Sequence, residues 1–309
     1  MENDPDQGIM RIIGKNVLQI LMRQGSVYLM NTTSAQAQSP SPVRDAATVL
    51  LVRPDGGSGF QVYAMRRSPK LRAFAGVWAF PGGSVDEQDR VPKWRILLAP
   101  FDERQATEQT VYRERTMPAI ETRDFRKRLG PWIEKRIGTK IPDDPIPDSS
   151  LDPATNLASW VTAMRELFEE TGTLLVEGNL PDPMLLREIR QKVMSGEIRF
   201  GDFLEEHGLR PVPEMLRYMG RLLTPSTEKR RFDTRFFLAR LPEGQEVDNM
   251  QGLTGEAVED GWFRPQEILE NRDGRFPIIP PTRYALEIIA AYRTLDELWE
   301  AFCPSTTSL

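Results

Sequence analysis

The sequence predicts an α/β fold, a single mixed layer domain carrying helical insertions. Three observations carry that expectation. Strand patterns stand on both sides of a strongly periodic central helix, an amphipathic helix closes the chain, and no internal repeat is visible. The length of 309 residues is enough to bury a full core. Hydrophobic and charged contents of 39% and 28% are those of an ordinary globular domain.

Taken in order, residues 1–43 read as an extension and linker. Acids precede the apolar patch Val17–Met22, which does not suit a secretory signal, and a Ser/Gln/Pro-rich run follows. Ala47–Val52 and Phe60–Arg67 read as strands joined by the turn PDGGSG, and Gly76–Phe80 as a third strand ending at Pro81-Gly82-Gly83. Residues 90–155 change character. They are charged and lack alternation, so they are expected to form a helical insertion, closed by the proline-rich connector IPDDPIPDSSLDP. A periodic helix begins near Asn156. Residues 180–212 read as a second helical insertion, built from MLLREIRQKVMSG and RFGDFLEEHGL. Strand patterns return at LRYMGRLL, RFDTRFFLARL and EDGWF, followed by a short helix at RPQEILENR and one long helix from Pro281 to Phe302. The domain is thus expected over 44–303, with a tail at 304–309 whose TSL end is not a peroxisomal address.

Composition excludes several chemistries. One cysteine, Cys303, and one histidine, His207, rule out a disulfide framework, a zinc cluster and a repeated Cys/His or Ser/His catalytic design. The net charge of −5 gives no global footprint for nucleic acid. No apolar run approaches the roughly 18 residues a membrane helix needs, so neither partner is expected. A cytoplasmic location is the default expectation, and a homodimer is compatible with the sequence. Chemistry must run on carboxylates, lysines and arginines, with a hard cation.

The central helix carries RELFEETG, Arg165 to Gly172. With Glu166 at the origin, Glu170 falls about 40° and Glu169 about 300° round the helix, so the three carboxylates share one face. Val161, Met164, Leu167, Phe168 and Thr171 fall on the opposite face, and Gly172 fits a helix end. A solvated face is the ordinary reading of such a charge run. Here the like charges repel at i,i+3 and i,i+4, two of them oppose the helix dipole, and Arg165 alone does not balance three acids. A divalent cation does, and Mg2+ suits a few carboxylates together with substrate phosphate.

RELFEETG matches the second half of the Nudix box, G-x5-E-x7-R-E-U-x-E-E-x-G-U with U aliphatic. FPGG at Phe80–Gly83 resembles its first half, with Gly83 as the opening glycine. Asp89 stands at the box's first glutamate position, one methylene shorter, and Thr173 at the last aliphatic one. The seven-residue spacer is here replaced by residues 90–164. SPKLRAFAGVWAFPGGSVDEQD also resembles the motif of CoA-cleaving Nudix enzymes through Ser68, Leu71, Arg72, Gly76, Phe80, Asp86 and Asp89. A box split by a long insertion is similar to the Nudix hydrolase 19-like CoA diphosphatases, and the likeness spans about residues 46–283.

The resemblance implies an α/β/α sandwich around a mixed sheet and a diphosphatase dependent on Mg2+ or Mn2+. Glu166, Glu169 and Glu170 would be metal ligands, and Arg165 would orient a glutamate. The family also implies a general base on the helix or in the loop before the last strand, where Glu256 and Glu259 are the candidates; each alone reads as a solvated loop acid. On the substrate side stand Arg72 (named by the motif), Arg67, Gly82, Gly83, Asp86 and Asp89, with Asp86 a structural acid of the CoA-type extension. Arg66, Arg67, Lys70 and Arg72 form a local basic cluster that suits phosphates, or else are strand-end charges in solvent. Trp78, Phe80 and Trp160 read as core and His207 as surface. The substrate implied is a small molecule, CoA or acyl-CoA; ADP-ribose or NADH is the alternative. A non-catalytic nucleotide-binding module is a further alternative, against which the three retained acids argue. The long insertion is expected to leave from closely spaced ends and to form a lid over the pantetheine arm or an outlying cap.

Overall fold

The computed structural model describes residues 42–71, 74–116, 120–138, 140–248 and 257–303. The expectations for residues 1–41 and 304–309, and for Arg72 and Glu256, lie outside the described residues. Ten strands are found among the described residues: β1 (Val43–Pro54), β2 (Phe60–Arg67), β3 (Trp78–Ala79), β4 (Gly82–Ser84), β5 (Ile120–Glu121), β6 (Val176–Glu177), β7 (Arg210–Pro211), β8 (Leu216–Leu223), β9 (Arg231–Arg240) and β10 (Ala257–Phe263). The α-helices are α1 (Lys93–Leu97), α2 (Glu103–Thr116), α3 (Thr122–Ile137), α4 (Pro153–Thr171), α5 (Pro183–Met194), α6 (Phe200–Glu206), α7 (Pro265–Glu270), α8 (Pro280–Ile289) and α9 (Leu295–Ala301).

One mixed sheet runs in the order β10-β2-β1-β9-β8-β5, with β3 on β2 and β4 on β1; β6 and β7 form a separate pair. β1 lies parallel to β9 from Val43↔Arg231 to Val52↔Arg240. Its hairpin with β2 is paired only at Val52↔Val62, Arg53↔Gln61 and Pro54↔Phe60. Beyond that the two strands diverge. β1 turns its free edge to β4 and β2 turns its own to β3. The chain from β3 into β4, which carries Pro81-Gly82-Gly83, therefore fills the wedge.

Side-chain alternation splits the core in two. Ala47, Val49, Leu51, Tyr63 and Met65 face α4 together with residues of α1, α2, α5 and α6. Leu50, Val52, Val62 and Ala64 face the other layer, with Tyr284 and Leu286 of α8 and Leu298 of α9. The result is the expected α/β/α sandwich.

The region between the box halves is not a lid or an outlying cap. Trp94, Phe101 and Ala106 are buried in the α4 layer, whereas Phe125 of α3 is buried in the opposite one. β5 extends the sheet beside β8, a short strand the charged sequence did not suggest. Its ends do meet: Arg90 Nη1 donates to Thr155 Oγ1 at 2.8 Å and Nη2 to Asp45 at 2.9 Å. A buried polar network ties it to the sheet. Arg221 bridges Asp233 (3.1 Å) and Glu114 (3.3 Å), and Tyr218 Oη donates to Glu114 at 2.7 Å. Arg235 pairs with Asp45 at 3.3 Å. The single long C-terminal helix expected from the sequence is two. Thr294 and Glu297 form a capping box that starts α9 anew after α8 ends.

Candidate active site

Asp152 caps α4 by accepting the Thr155 N–H at 3.1 Å, and Pro153 occupies its first turn, where no N–H is required. Gly172, at φ 74°, ends the helix by donating to the Phe168 carbonyl at 2.8 Å. Trp160, Val161, Met164, Leu167 and Phe168 are buried as the periodicity predicts. The acidic face is covered as well. β4 and the short helical turn Glu87–Arg90 pack on it, so Arg165 and Thr162 are also buried.

Asp89 is the centre of that cover. Its carboxylate accepts Arg165 Nε at 2.8 Å and Nη2 at 2.9 Å, a bidentate pair, together with Thr162 Oγ1 at 2.8 Å and the Asp86 N–H at 2.9 Å. The Asp89 side chain is 0% exposed, so it does not reach substrate; the expected substrate-side role is replaced by a structural one. Asp86, likewise expected on the substrate side, accepts from the Gln88 N–H at 3.1 Å and caps the turn. Pinned from behind, Arg165 directs Nη1 at Glu166 (2.9 Å) and Glu169 (3.2 Å), and Nη2 at the Ser84 carbonyl (3.2 Å). Arg165 thereby orients both glutamates relative to β4.

The glycines are needed for close approach. A Cβ on Gly82 would come within 2.7 Å of Thr48 Cα and Oγ1, and one on Gly83 within 2.5 Å of the Glu166 carboxyl carbon. Gly82 N–H donates to Glu170 Oε2 at 2.8 Å. The backbone turn is itself held to β1, where the Pro81 carbonyl accepts from Val49 N–H at 2.8 Å and Thr48 Oγ1 at 3.0 Å. Thus Glu166 rests on Gly83 and Glu170 on Gly82.

Crowding shows in the electrostatics. Burial raises the Glu166 carboxyl to about 7, opposed by Arg165 and reinforced by Glu169 and Asp89. Burial also raises Glu169, again opposed by Arg165, with Asp89 and Asp86 adding to the rise. Their side chains are only 13% and 17% exposed, so neither is a solvated surface charge.

Glu259 does not belong to this cluster. It pairs in register with Arg66, on the sheet face opposite α4, and is held by Arg275 at 2.6 Å and Arg66 at 3.6 Å. The expectation of a general base there is corrected on that ground. Its neighbour Asp260 lies opposite Met65 and so shares the α4 face. Tyr63 marks the same space. Its phenol is pushed up by burial and then by Asp260, and it feels Arg190 and Glu170. Asp260 and Arg190 were missed in the sequence. Period-two alternation separates Glu259 from Asp260, although a bulge between Ala257 and Glu259 makes that register hard to read in advance. Arg67, at the end of β2, also stands on the α4 face by alternation, and its Nε is buried without a partner.

The donor set is made of carboxylates, which suit a hard cation such as Mg2+ or Mn2+. Among the described residues no three acidic, histidine or cysteine side chains gather into a ready ion cage. Arg165 Nη1 stands between Glu166 and Glu169, and Glu170 is engaged by Gly82. The residues fit a cation by chemistry and by the excess of carboxylates over Arg165 on this face.

Comparison with known proteins agrees with the geometry. Residues 43–289 match the family model of the NUDT19 Nudix domain. The chain belongs to that Nudix family. It is 27% identical over 302 residues to the human acyl-coenzyme A diphosphatase NUDT19, covering 88% of this chain and 74% of that protein. With the Xenopus laevis protein of the same name it shares 24% identity over 260 residues, 78% of this chain and 62% of the relative. Among solved structures, a NUDIX hydrolase from Alicyclobacillus acidocaldarius matches with a TM-score of 0.54 and 23% identity. That match covers 85% of this chain and 99% of the other, and it shows the Nudix fold. No helix among the described residues is long and apolar enough to cross a membrane.

Proposed function

We propose that this Nudix domain is a divalent-cation-dependent diphosphatase that cleaves CoA or acyl-CoA to 3',5'-ADP and (acyl-)phosphopantetheine. The observation that carries the reading is the seating of Glu166 and Glu170 against Gly83 and Gly82, with Glu169 held beside them by Arg165, itself locked in place by Asp89. Glu166, Glu169 and Glu170 would hold Mg2+ or Mn2+. Bound there, such a cation supplies Lewis acidity toward a phosphoryl oxygen and toward water.

The protein's own groups prepare that chemistry. Arg165 fixes the directions of Glu166 and Glu169, and the absence of a Cβ at Gly83 leaves room for the Glu166 carboxylate. Gly82 keeps Glu170 on the same side as its partners. Burial favours a proton on Glu166, which the carboxylate would give up in order to hold a cation. Arg67, at the end of β2 on the α4 face, would offer its guanidinium to a substrate phosphate. The CoA reading is supported by the motif around Ser68–Asp89 and by the names of the human and frog relatives.

The test is a product assay with Mg2+ or Mn2+ on CoA, acyl-CoAs, dephospho-CoA, ADP-ribose and NADH. The 3'-phosphate is the discriminator. CoA and acyl-CoA are expected to turn over clearly faster than the compounds lacking it. Comparable turnover on all of them would replace the CoA reading with that of a general nucleoside-diphosphate pyrophosphatase. Binding without turnover of any would favour the non-catalytic module.

A further inference from the structure

The C-terminal end of α4 poses an electrostatic problem. Glu169 and Glu170 sit in its last turn, where the helix dipole is negative and the final carbonyls lack intrahelical donors. The solution comes from α5, in the second inserted region. Arg190 is 1% exposed, and its Nε donates to the Glu169 main-chain carbonyl at 2.9 Å. Its Nη1 donates to the Asp248 carbonyl at 3.0 Å and reaches the Asp248 carboxylate at 3.3 Å. Asp248 in turn donates its N–H to the Thr171 carbonyl at 2.9 Å. Arg190 and Asp248 thus satisfy two of the orphan carbonyls at the end of this helix.

Burying an arginine is costly, and desolvation lowers its pKa; Asp248 and Glu170 are among the charges that offset this. Arg187, by contrast, holds Asp248 from the exposed side through Nε at 2.9 Å, and its hydrogen bonds go to Asp248 and not to α4. We propose that Arg190 is a positioning residue for the cation-binding carboxylates: it fixes the turn bearing Glu169 and Glu170, and so sets the geometry in which they accept a cation. The inserted region would then be part of the catalytic apparatus while contributing no group to the reacting atoms. This rests on the proposed function for the cation at Glu166, Glu169 and Glu170 and for the choice of assay substrate.

The experiment measures Mn2+ affinity by electron paramagnetic resonance, without substrate, alongside kcat and KM for CoA. Wild type, Arg190→Gln, Arg190→Lys and Arg187→Gln are compared. Loss of a supporting partner of this kind weakens metal affinity or activity by roughly 10–100-fold, and that range is expected for both Mn2+ affinity and kcat in Arg190→Gln, with KM little changed. Arg190→Lys should fall between it and wild type, because one ammonium does not reach both carbonyls. Arg187→Gln should match wild type. The sign of the Mn2+ effect is decisive. Removing a nearby cation by charge alone tightens Mn2+ binding, so unchanged or tighter binding in folded Arg190→Gln overturns the proposal. If Arg190→Gln does not fold, wild-type values in Arg190→Lys overturn it equally. A wild type that binds Mn2+ but cleaves no CoA sinks the substrate reading, while the Mn2+ comparison still judges Arg190.

Discussion

Asp89 and Arg165 show how much of this site is scaffold. The bidentate pair lies beneath the acids, and every polar contact of the Asp89 carboxylate is internal. Replacing Asp89 by Ala leaves Arg165 charged and buried beside the two glutamates alone. Breaking a buried pair in this way costs about 3–5 kcal/mol, and denaturant unfolding should show a loss of that size. Gly83→Ala acts differently, since its Cβ meets the Glu166 carboxylate. Displacing that side chain should reduce cation-dependent turnover about tenfold or more with little change in unfolding midpoint. Glu166 also predicts a pH dependence. Its folded pKa of about 7 lies above the ordinary 4.5, so the proton stabilises the folded state. That contribution is complete below about 4.5 and is lost as pH rises through about 7. Metal-free protein should therefore lose stability over this window, and Glu166→Gln should flatten the loss. Equal slopes in the two proteins would contradict the assignment. That the three helix acids share one face was legible from spacing. The burial of Asp89 was not, because a carboxylate in a Gly-rich, acidic stretch looks solvent-facing until its partner Arg165 is found far away in sequence.

Elements with strong periodicity were the readable ones. β2 and β8 occupy the spans the alternation marked, and α4 ends at the glycine that the pattern named. Two features escaped for physical reasons. β5 is a two-residue strand whose identity comes from docking beside β8 and not from its own composition. The break between α8 and α9 rests on a local cap, Thr294 with Glu297, that competes with continuous amphipathicity. The region between the box halves is the larger correction, since its helices complete both core layers. Phe101 packs on Trp160 of α4 with ring centroids 5.1 Å apart. Phe101→Ala should cost roughly 3–5 kcal/mol, read as a drop in unfolding free energy. A lid would tolerate the same change with no loss of stability, which would contradict this placement.

For the whole molecule, the wedge between β1 and β2 explains how a split box can work. Residues far apart in sequence meet because Arg90 and Thr155 bring the ends of the interruption together, and the chain in between is spent on core. The boundaries of that interruption, at 90 and 155, are our proposal for how the domain is organised. Three of the 45 acidic residues cluster near the C-terminal end of α4, and α5 supplies a buried arginine to the main chain of that turn. Under the proposed function, Glu166, Glu169 and Glu170 are the working end of a cation-dependent diphosphatase. Glu170→Gln tests it most directly, assayed on CoA across a Mg2+ titration, with the unfolding midpoint measured on the same sample. The account predicts an unchanged midpoint and no Mg2+-dependent formation of 3',5'-ADP. Wild-type turnover in that variant would contradict it.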